Sequence, residues 1–531
     1  MDYAKHFSTE KTPQSQPIPG SDQVPNSAGG FSWAVNEWMQ LDRFLVLGSE
    51  GGSYYASERK LTLTNATALE KCVKTDGLEV VRRIVEISDA GRAPKNDQAI
   101  FALAYTAKKG DDVTRKAAYE ALPKVCRIGT HLFAFAKYIE AFGGWSRGTR
   151  RAVAAWYNRD LKDVAYQAIK YQTRDGWANR DLLRLSHPKP ASEAHDALFQ
   201  WMVKGEGPKK EWPLGHPLEI VAAFEELKKC ENEPKRAMGL IEKYGLPREC
   251  VPTALLNSAA VWDVLLQHMK PEAMIRNLGK MTAVGLLKPL SDASRKVADK
   301  LSDAEVLRKA RLHPIKVLTA LLTYQSGRGV KGSLSWSPDQ VVVNALDEAF
   351  YKTFANVEPT GKNTLLALDV SGSMSGGVVA GVPGLTPRIA SASMALITAA
   401  VEKQHAFVGF SHRLIPLSIS PRQRLDDVVR TVSNIPFGAT NCSLPMAWAF
   451  DNKIEVETFV VYTDSETWSG GEHPVQTLRE YRKRTGIKAK LIVVGMVANE
   501  FTIADPNDAG MLDVIGFDTA TPAVMADFAR A

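Results

Sequence analysis

Eleven residues, Thr364-Leu-Leu-Ala-Leu-Asp-Val-Ser-Gly-Ser-Met374, restrict the fold more than any other stretch of this chain. Leu365, Leu366 and Leu368 are apolar on both faces of a short strand, the pattern of a strand buried inside a parallel sheet. At its carboxyl end the text switches to Asp369-x-Ser371-x-Ser373, three oxygen-bearing side chains at alternate positions. The carboxyl edge of a parallel sheet is where open α/β folds hold their ligands. One carboxylate and two hydroxyls are too few to cage Ca²⁺. They suit Mg²⁺, which keeps several waters and takes its other ligands from elsewhere. The plainer reading of the same letters is a polar strand-to-helix loop with an N-cap serine, and the rest of the chain has to choose between the two.

From about Asn363 strands and helices alternate. The pattern predicts strands at 364–369, 405–411, 413–418, 458–462 and 490–497, and helices at 387–404, 425–435, 443–450 and 475–484. Such alternation implies a doubly wound, Rossmann-like α/β sheet with one antiparallel hairpin. Two further loops of this domain can converge on Asp369: one carries Thr440, and the other ends a buried strand in Thr463-Asp464.

Upstream the texture is helical. From Ala66 to about Phe354, apolar residues recur at helical spacing between breaks at Gly91, Gly110, Gly143-Gly144, Gly176, Pro188 and Gly245. Short helices in antiparallel pairs predict an α-solenoid of the HEAT or armadillo kind, with a compact bundle as the alternative. Phe31–Leu41 reads as helix-like, and the run through Tyr54, Tyr55 and Leu61–Thr64 as a short hairpin or strand. Residues 1–23 are polar and lack the apolar core of a secretory signal, so they read as a loose tail on a cytoplasmic protein. No run of about 18 apolar residues is present, against a membrane helix. Five scattered cysteines without C-x-x-C spacing speak against disulfides and zinc. The domain scheme is thus 1–23, 24–360 and 361–531.

Charge is unevenly placed. Residues 361–531 carry 15 Lys+Arg against 17 Asp+Glu, so the net +7 of the chain comes from the helical part. Arg147–Lys189 holds ten Lys+Arg against four Asp+Glu. Lys170 and Arg174 stand at i, i+4 and are expected on one helical face; Arg180, Arg184 and His187 at i, i+4, i+7 are expected on another. Tyr166, Tyr171 and Trp177 are interleaved. Clustered cations with aromatics suit phosphate contacts and base stacking. The competing reading is a solvated basic face neutralised by Asp160, Asp163, Asp175 and Asp181.

Asp369-Val-Ser371-Gly-Ser373 with Thr440 and Thr463-Asp464 resembles the metal-ion-dependent adhesion site of a von Willebrand factor A domain. Asn441-Cys-Ser-Leu-Pro-Met446, Leu478-Arg-Glu-Tyr-Arg-Lys483 and Phe501-Thr-Ile-Ala-Asp-Pro506 resemble the sixty-kilodalton Ro autoantigen family. Asp175-Gly-Trp177, Asp181–His187, Arg276–Met281 and His313-Pro314 resemble its TROVE module. The resemblance implies a ring-like α-solenoid of HEAT-type helical repeats, followed by a von Willebrand factor A domain docked where the ring's ends meet. It implies Mg²⁺, or another divalent metal ion, held by Asp369, Ser371, Ser373 and Thr440, with Asp464 one step behind. It implies binding of small noncoding Y RNAs on an outer basic surface and of single-stranded ends of misfolded noncoding RNAs in the central hole. Partnership with exoribonucleases such as polynucleotide phosphorylase, and a monomeric protein within a ribonucleoprotein, follow from the same likeness. The family's RNA contacts map onto Lys170, Arg174 and His187; Arg180 and Arg184 share the face.

The leading expectation is therefore a noncatalytic RNA-binding protein of RNA quality control. The alternative is a Mg²⁺-dependent protein-binding adaptor acting through the A domain. Two-metal nuclease chemistry needs several carboxylates around paired ions, and the sequence offers only Asp369 and Asp464.

Overall fold

The computed structural model describes residues 11–49, 58–205, 215–310, 312–329, 333–354, 359–379, 384–436, 438–516 and 521–531. Helices occupy most of the chain between Glu37 and Lys352. Among the described residues no helix is long and apolar enough to cross a membrane. Their starts are set locally: Asp111, Asp160, Ser192 and Ser291 each accept a hydrogen bond from the backbone N–H three residues on, satisfying a donor that the first turn leaves free. Their packing is set by an apolar stripe. In Leu161–Lys170, for example, Val164, Ala165, Ala168 and Ile169 are buried while Lys162 is exposed.

Successive helices stack on their neighbours, as Asp97–Lys109 does on Asp112–Val125 and Gly129–Ala141. The array bends until its ends meet. His313 caps helix Pro314–Gln325 by accepting from Ile315 N–H at Nδ1, so its Nε2 carries the proton and donates to the Arg92 carbonyl at 2.8 Å. This buried contact joins the second long helix of the array, Glu58–Ala90 and its exit turn, to nearly its last. The solenoid is closed into a ring.

The second half is the expected sheet. Its order is 511–515, 490–495, 458–463, 364–369, 405–410, 414–417, parallel throughout except for the final hairpin strand. All six residues of Thr364–Asp369 are buried, since this strand lies inside the sheet with a strand on either side. Strand Met511–Ile515 and helix Thr521–Arg530 were not legible in the sequence. All five cysteines are buried free thiols.

Three expectations are corrected. Residues 11–23 are no loose tail: Gln14 is fully buried, its Nε2 donating to Asn441 Oδ1 at 2.6 Å and to the Glu472 carbonyl at 2.8 Å. Long-range polar contacts of this kind leave no periodicity to read. Phe31–Ala34 is a strand, paired with Val24–Pro25 and with Phe501–Thr502 of the A domain, and the helix starts only at Glu37 behind the Asn36 cap. Leu61–Thr64 belongs to helix Glu58–Ala90; Tyr54 and Tyr55 lie outside the described residues.

Helix Glu37–Leu47 joins the ring to the A domain through Gln40, whose Nε2 donates to the Ala498 carbonyl at 3.1 Å, and above all through Arg43. Arg43 is 1% exposed, and its Nη2 donates to both carboxylate oxygens of Asp513 at 2.9 and 2.7 Å. Its Nη1 donates to the Asn499 and Phe501 carbonyls at 2.7 and 3.0 Å. At the ring's other end, Asp347 accepts from Leu425 N–H and Arg424 donates to Asn344. Arg43→Ala leaves Asp513 buried without its countercharge and should lower unfolding free energy by about 3–5 kcal/mol in urea titrations. Adding Asp513→Asn to that variant should recover part of the loss; no recovery would mean the clasp is not ionic.

Candidate nucleic-acid interface and metal site

Helix Leu161–Lys170 ends at Lys170, so Lys170 and Arg174 do not share a helical face as expected from their spacing. Arg174 instead sits in a two-residue strand, Thr173–Arg174, paired antiparallel with Trp177–Ala178. Between them Asp175 and Gly176 both have positive φ, 52° and 82°. That is the twist a two-residue hairpin loop requires, and Asp-Gly is its usual sequence. The signal was present in the text and was masked by the helical periodicity on either side.

Arg180 and Arg184 lie as expected on one exposed side of helix Asn179–Ser186, with Leu182 and Leu183 buried on the other. His187 caps this helix in the left-handed region at φ 46°, exposed, and directly before Pro188. Lys170 lies 5.7 and 5.3 Å from the Tyr166 and Tyr171 ring centroids. Trp177 packs on Trp145.

The four aspartates neutralise this face only in part. Asp160 caps its own helix, and Asp163 is taken by Arg159 at 2.7 Å. Asp181 holds the Ala178 N–H and lies 3.6 Å from Arg180. Asp175 stands at 3.9 Å from both Arg174 and Lys137. Among the described residues Lys170, Arg184 and His187 have no carboxylate within ion-pair distance. The arrangement presents positive charge to solvent, beside half-buried aromatic rings.

The oxygen cluster of the A domain is the opposite case, a set of buried acceptors. Asp369 Oδ1 accepts from Ser371 N–H at 2.9 Å, and Oδ2 accepts from Thr463 Oγ1 at 2.6 Å. Ser371 and Ser373 hydroxyls are 3.0 Å apart, and Asp464 accepts from Ser373. Thr440 is buried in the adjoining loop, whose Gly438 carbonyl accepts from Gly372 N–H at 3.4 Å. The structure thus links Asp369, Ser371, Ser373 and Asp464 directly, and Thr440 through the backbone of its loop. Thr463 was read only as part of the Thr463-Asp464 loop and not as the hydroxyl that holds Asp369; Arg388, whose guanidinium donates to the Ser371 carbonyl at 3.2 Å, was missed by residue type alone.

Burial pushes both Asp369 and Asp464 above the usual carboxylate range, and the charge of Asp369 raises Asp464 further. Glu466, which accepts from Ser27 N–H at 2.8 Å, is likewise pushed up to about 7 by burial. Two desolvated carboxylates sharing hydroxyl neighbours fit a small hard cation, which would offset their repulsion. Among the described residues no cluster of three or more His, Cys, Asp or Glu is placed to hold a metal. The donor set is therefore hydroxyl and carboxylate, not an all-carboxylate cage.

A closed helical-repeat ring clasped by a von Willebrand factor A-type domain defines the class of protein. Family models match accordingly: the TROVE domain over residues 24–212 and 246–323, and the Ro60 vWA domain over 363–529. The chain is 42% identical over 511 residues to the RNA-binding protein RO60 of Deinococcus radiodurans, covering 96% of this chain and 95% of that one. It is 37% identical over 585 residues to the RNA-binding protein RO60 of Caenorhabditis elegans, covering 95% and 90%. The crystal structure of the Deinococcus radiodurans Ro (RSR) protein superposes with a TM-score of 0.71 at 42% identity, covering 93% of this chain and 99% of that one. The chain belongs to the Ro60 family.

The left-handed backbone at His187 costs a non-glycine residue about 1 kcal/mol. His187→Gly should therefore hold or raise the thermal midpoint of the protein. A clear fall in that midpoint would show that the imidazole is needed for folding and weaken its assignment to the interface.

Proposed function

We propose that this chain is an RNA-binding protein whose contacts centre on Lys170, Arg174, Arg180, Arg184 and His187. The observation that carries this reading is positive charge at the surface in excess of its acidic neighbours, with Lys170 and Arg184 free of any carboxylate at ion-pair distance among the described residues, beside Tyr166, Tyr171 and Trp177. The relatives named as RNA-binding proteins support it. Lys170 and the arginines would neutralise phosphates, while His187 and the aromatic rings meet bases and sugars. Structured noncoding RNAs of the Y class and misfolded RNAs with unpaired ends are the ligands this chemistry favours, because unpaired nucleotides expose ring faces that a duplex hides. On this reading the protein acts without catalysis, in the cytoplasm, as a monomer within a ribonucleoprotein. It hands RNA to exoribonucleases such as polynucleotide phosphorylase.

The test is a titration of Y-like RNA at several salt concentrations. Lys170→Ala/Arg174→Ala should weaken binding by roughly tenfold and make log K against log salt shallower by about 1.4–1.8, two phosphate contacts' worth. Wild-type affinity and slope in that variant would remove the cluster from the interface.

A second reading is favoured by the buried oxygen cluster and concerns the other domain. Asp369, Ser371, Ser373 and Thr440 would hold Mg²⁺, with Asp464 accepting from one of its ligands. The ion would supply an open position for a carboxylate of a protein partner. Ser371 and Ser373 orient the hydroxyl lone pairs, and Thr463 holds the Asp369 carboxylate in place. Mg²⁺ should then raise the thermal midpoint of the wild type and leave that of Asp369→Ala unchanged. Equal shifts in both proteins would place the ion elsewhere.

A further inference from the structure

The cationic end of helix Leu161–Lys170 meets a second source of charge from a remote part of the chain. Lys270, the residue before helix Pro271–Ala283, brings its ammonium 5.9 Å from the centroid of the Tyr166 ring, the same ring that Lys170 approaches to 5.7 Å. One turn and a half into that helix, Arg276 is exposed, and its charge, like that of Arg174, reaches the Tyr171 hydroxyl. Tyr171 itself is fixed from behind: a Cβ added at Gly129 would stand 3.2 Å from its own Cβ. Cys250 Sγ donates to the Ile169 carbonyl at 3.5 Å, pinning the end of the helix. Residues 129, 166–174, 250 and 270–276 therefore make one surface.

Two acids of this surface are engaged and a third, Glu249, is not; its charge also reaches Tyr166 and Tyr171. Glu272 is engaged by Lys316 at 2.8 Å, and Asp175 is shared at 3.9 Å between Arg174 and Lys137. Glu249 is exposed and makes no ion pair among the described residues. Among the described residues Lys170, Lys270 and Arg276 have no carboxylate within ion-pair distance. Two ammonium groups held against one half-buried tyrosine repel each other, and the cation–π contacts offset only part of that. A polyanion laid across them would relieve it. Because the floor is aromatic, the polyanion that fits is one with flat groups between its charges.

We propose that Lys270 and Arg276 form, with Lys170 and the rings of Tyr166 and Tyr171, a seam that binds a single strand of RNA and leads it from the hairpin at 173–178 onto helix Pro271–Ala283. This deepens the RNA-binding reading and rests on it. The ammonium and guanidinium groups take successive phosphates, and the tyrosines meet unpaired bases. Duplex RNA presents no free ring face and gains nothing from the aromatic floor.

The test uses the full-length protein and two fluorescent probes, an oligouridylate and a duplex RNA of the same length. Lys270→Ala/Arg276→Ala should lose roughly tenfold in affinity for the oligouridylate, with a slope of log K against log salt shallower by about 1.4, and keep its affinity for the duplex. Lys270→Arg/Arg276→Lys should restore binding. Arg295→Ala/Lys296→Ala, an equal charge change on helix Asp292–Ser302, should not weaken it. Wild-type affinity and slope for the oligouridylate in Lys270→Ala/Arg276→Ala would overturn the seam, and so would an equal loss on the duplex or in the charge control. If Lys170→Ala/Arg174→Ala loses binding while Lys270→Ala/Arg276→Ala does not, the seam alone fails. If neither loses it, the underlying reading fails with it.

Discussion

Much of this molecule depends on one buried cation. Arg43 takes a carboxylate, two backbone carbonyls and the side-chain oxygen of Asn499. An arginine withdrawn from water is tolerable only when its charge is met in this way, because an uncompensated charge in the interior costs several kcal/mol. The clasp therefore demands that helix Glu37–Leu47, strand Phe501–Thr502 and strand Met511–Ile515 be assembled together. Asn499 extends it, since its Nδ2 donates to the Asp464 carbonyl at 2.6 Å. The first helix of the ring and the oxygen cluster of the A domain are thus two hydrogen bonds apart. A ring whose ends close on each other at His313 and Arg92 is further held by a domain gripping both its first and last helices.

The two candidate sites use dielectric in opposite ways. The cations between Lys170 and His187 stay at the surface, where solvation keeps them charged at little cost and where they can neutralise phosphates without prior desolvation. The carboxylates Asp369 and Asp464 are buried, where their charges are strongly disfavoured until something positive shares the site. One site suits a large, loosely fitted polyanion. The other suits a small ion with fixed geometry. Physical separation into a helical ring and a parallel sheet lets one chain offer both.

The sheet was legible because buried parallel strands have to be apolar on both faces, so Thr364–Asp369, Thr458–Thr463 and Lys490–Gly495 stand out as uninterrupted runs. Met511–Ile515 escaped because it lies at the edge, with Asp513 inside it serving Arg43. The helical region was legible as a class, though not in its closure, because no periodicity records which remote helices meet. In the basic cluster, residue types and charge balance pointed to cations that the structure leaves exposed or half-buried, but the i, i+4 argument for Lys170 and Arg174 failed. The Asp175-Gly176 hairpin cuts the helix between them and turns Arg174 outward by another route. Gln14 and Arg388 were invisible as parts of the oxygen cluster's surroundings, because a polar residue announces nothing until its partner is known.

What the amino-acid sequence determined alone was everything governed by neighbours a few residues away. That covers helix starts and stops, the strand ending in Asp369-x-Ser371-x-Ser373, and the density of positive charge between Arg147 and Lys189. What only the tertiary structure decided was which of those local pieces share a surface. Lys270 beside Tyr166, Gln14 beneath the Thr467 loop and Arg43 against Asp513 join residues far apart in the chain. Local propensity acts over a turn or two of backbone, whereas charge, hydrogen bonding and exclusion of water act through space, and space is known only once the chain has folded.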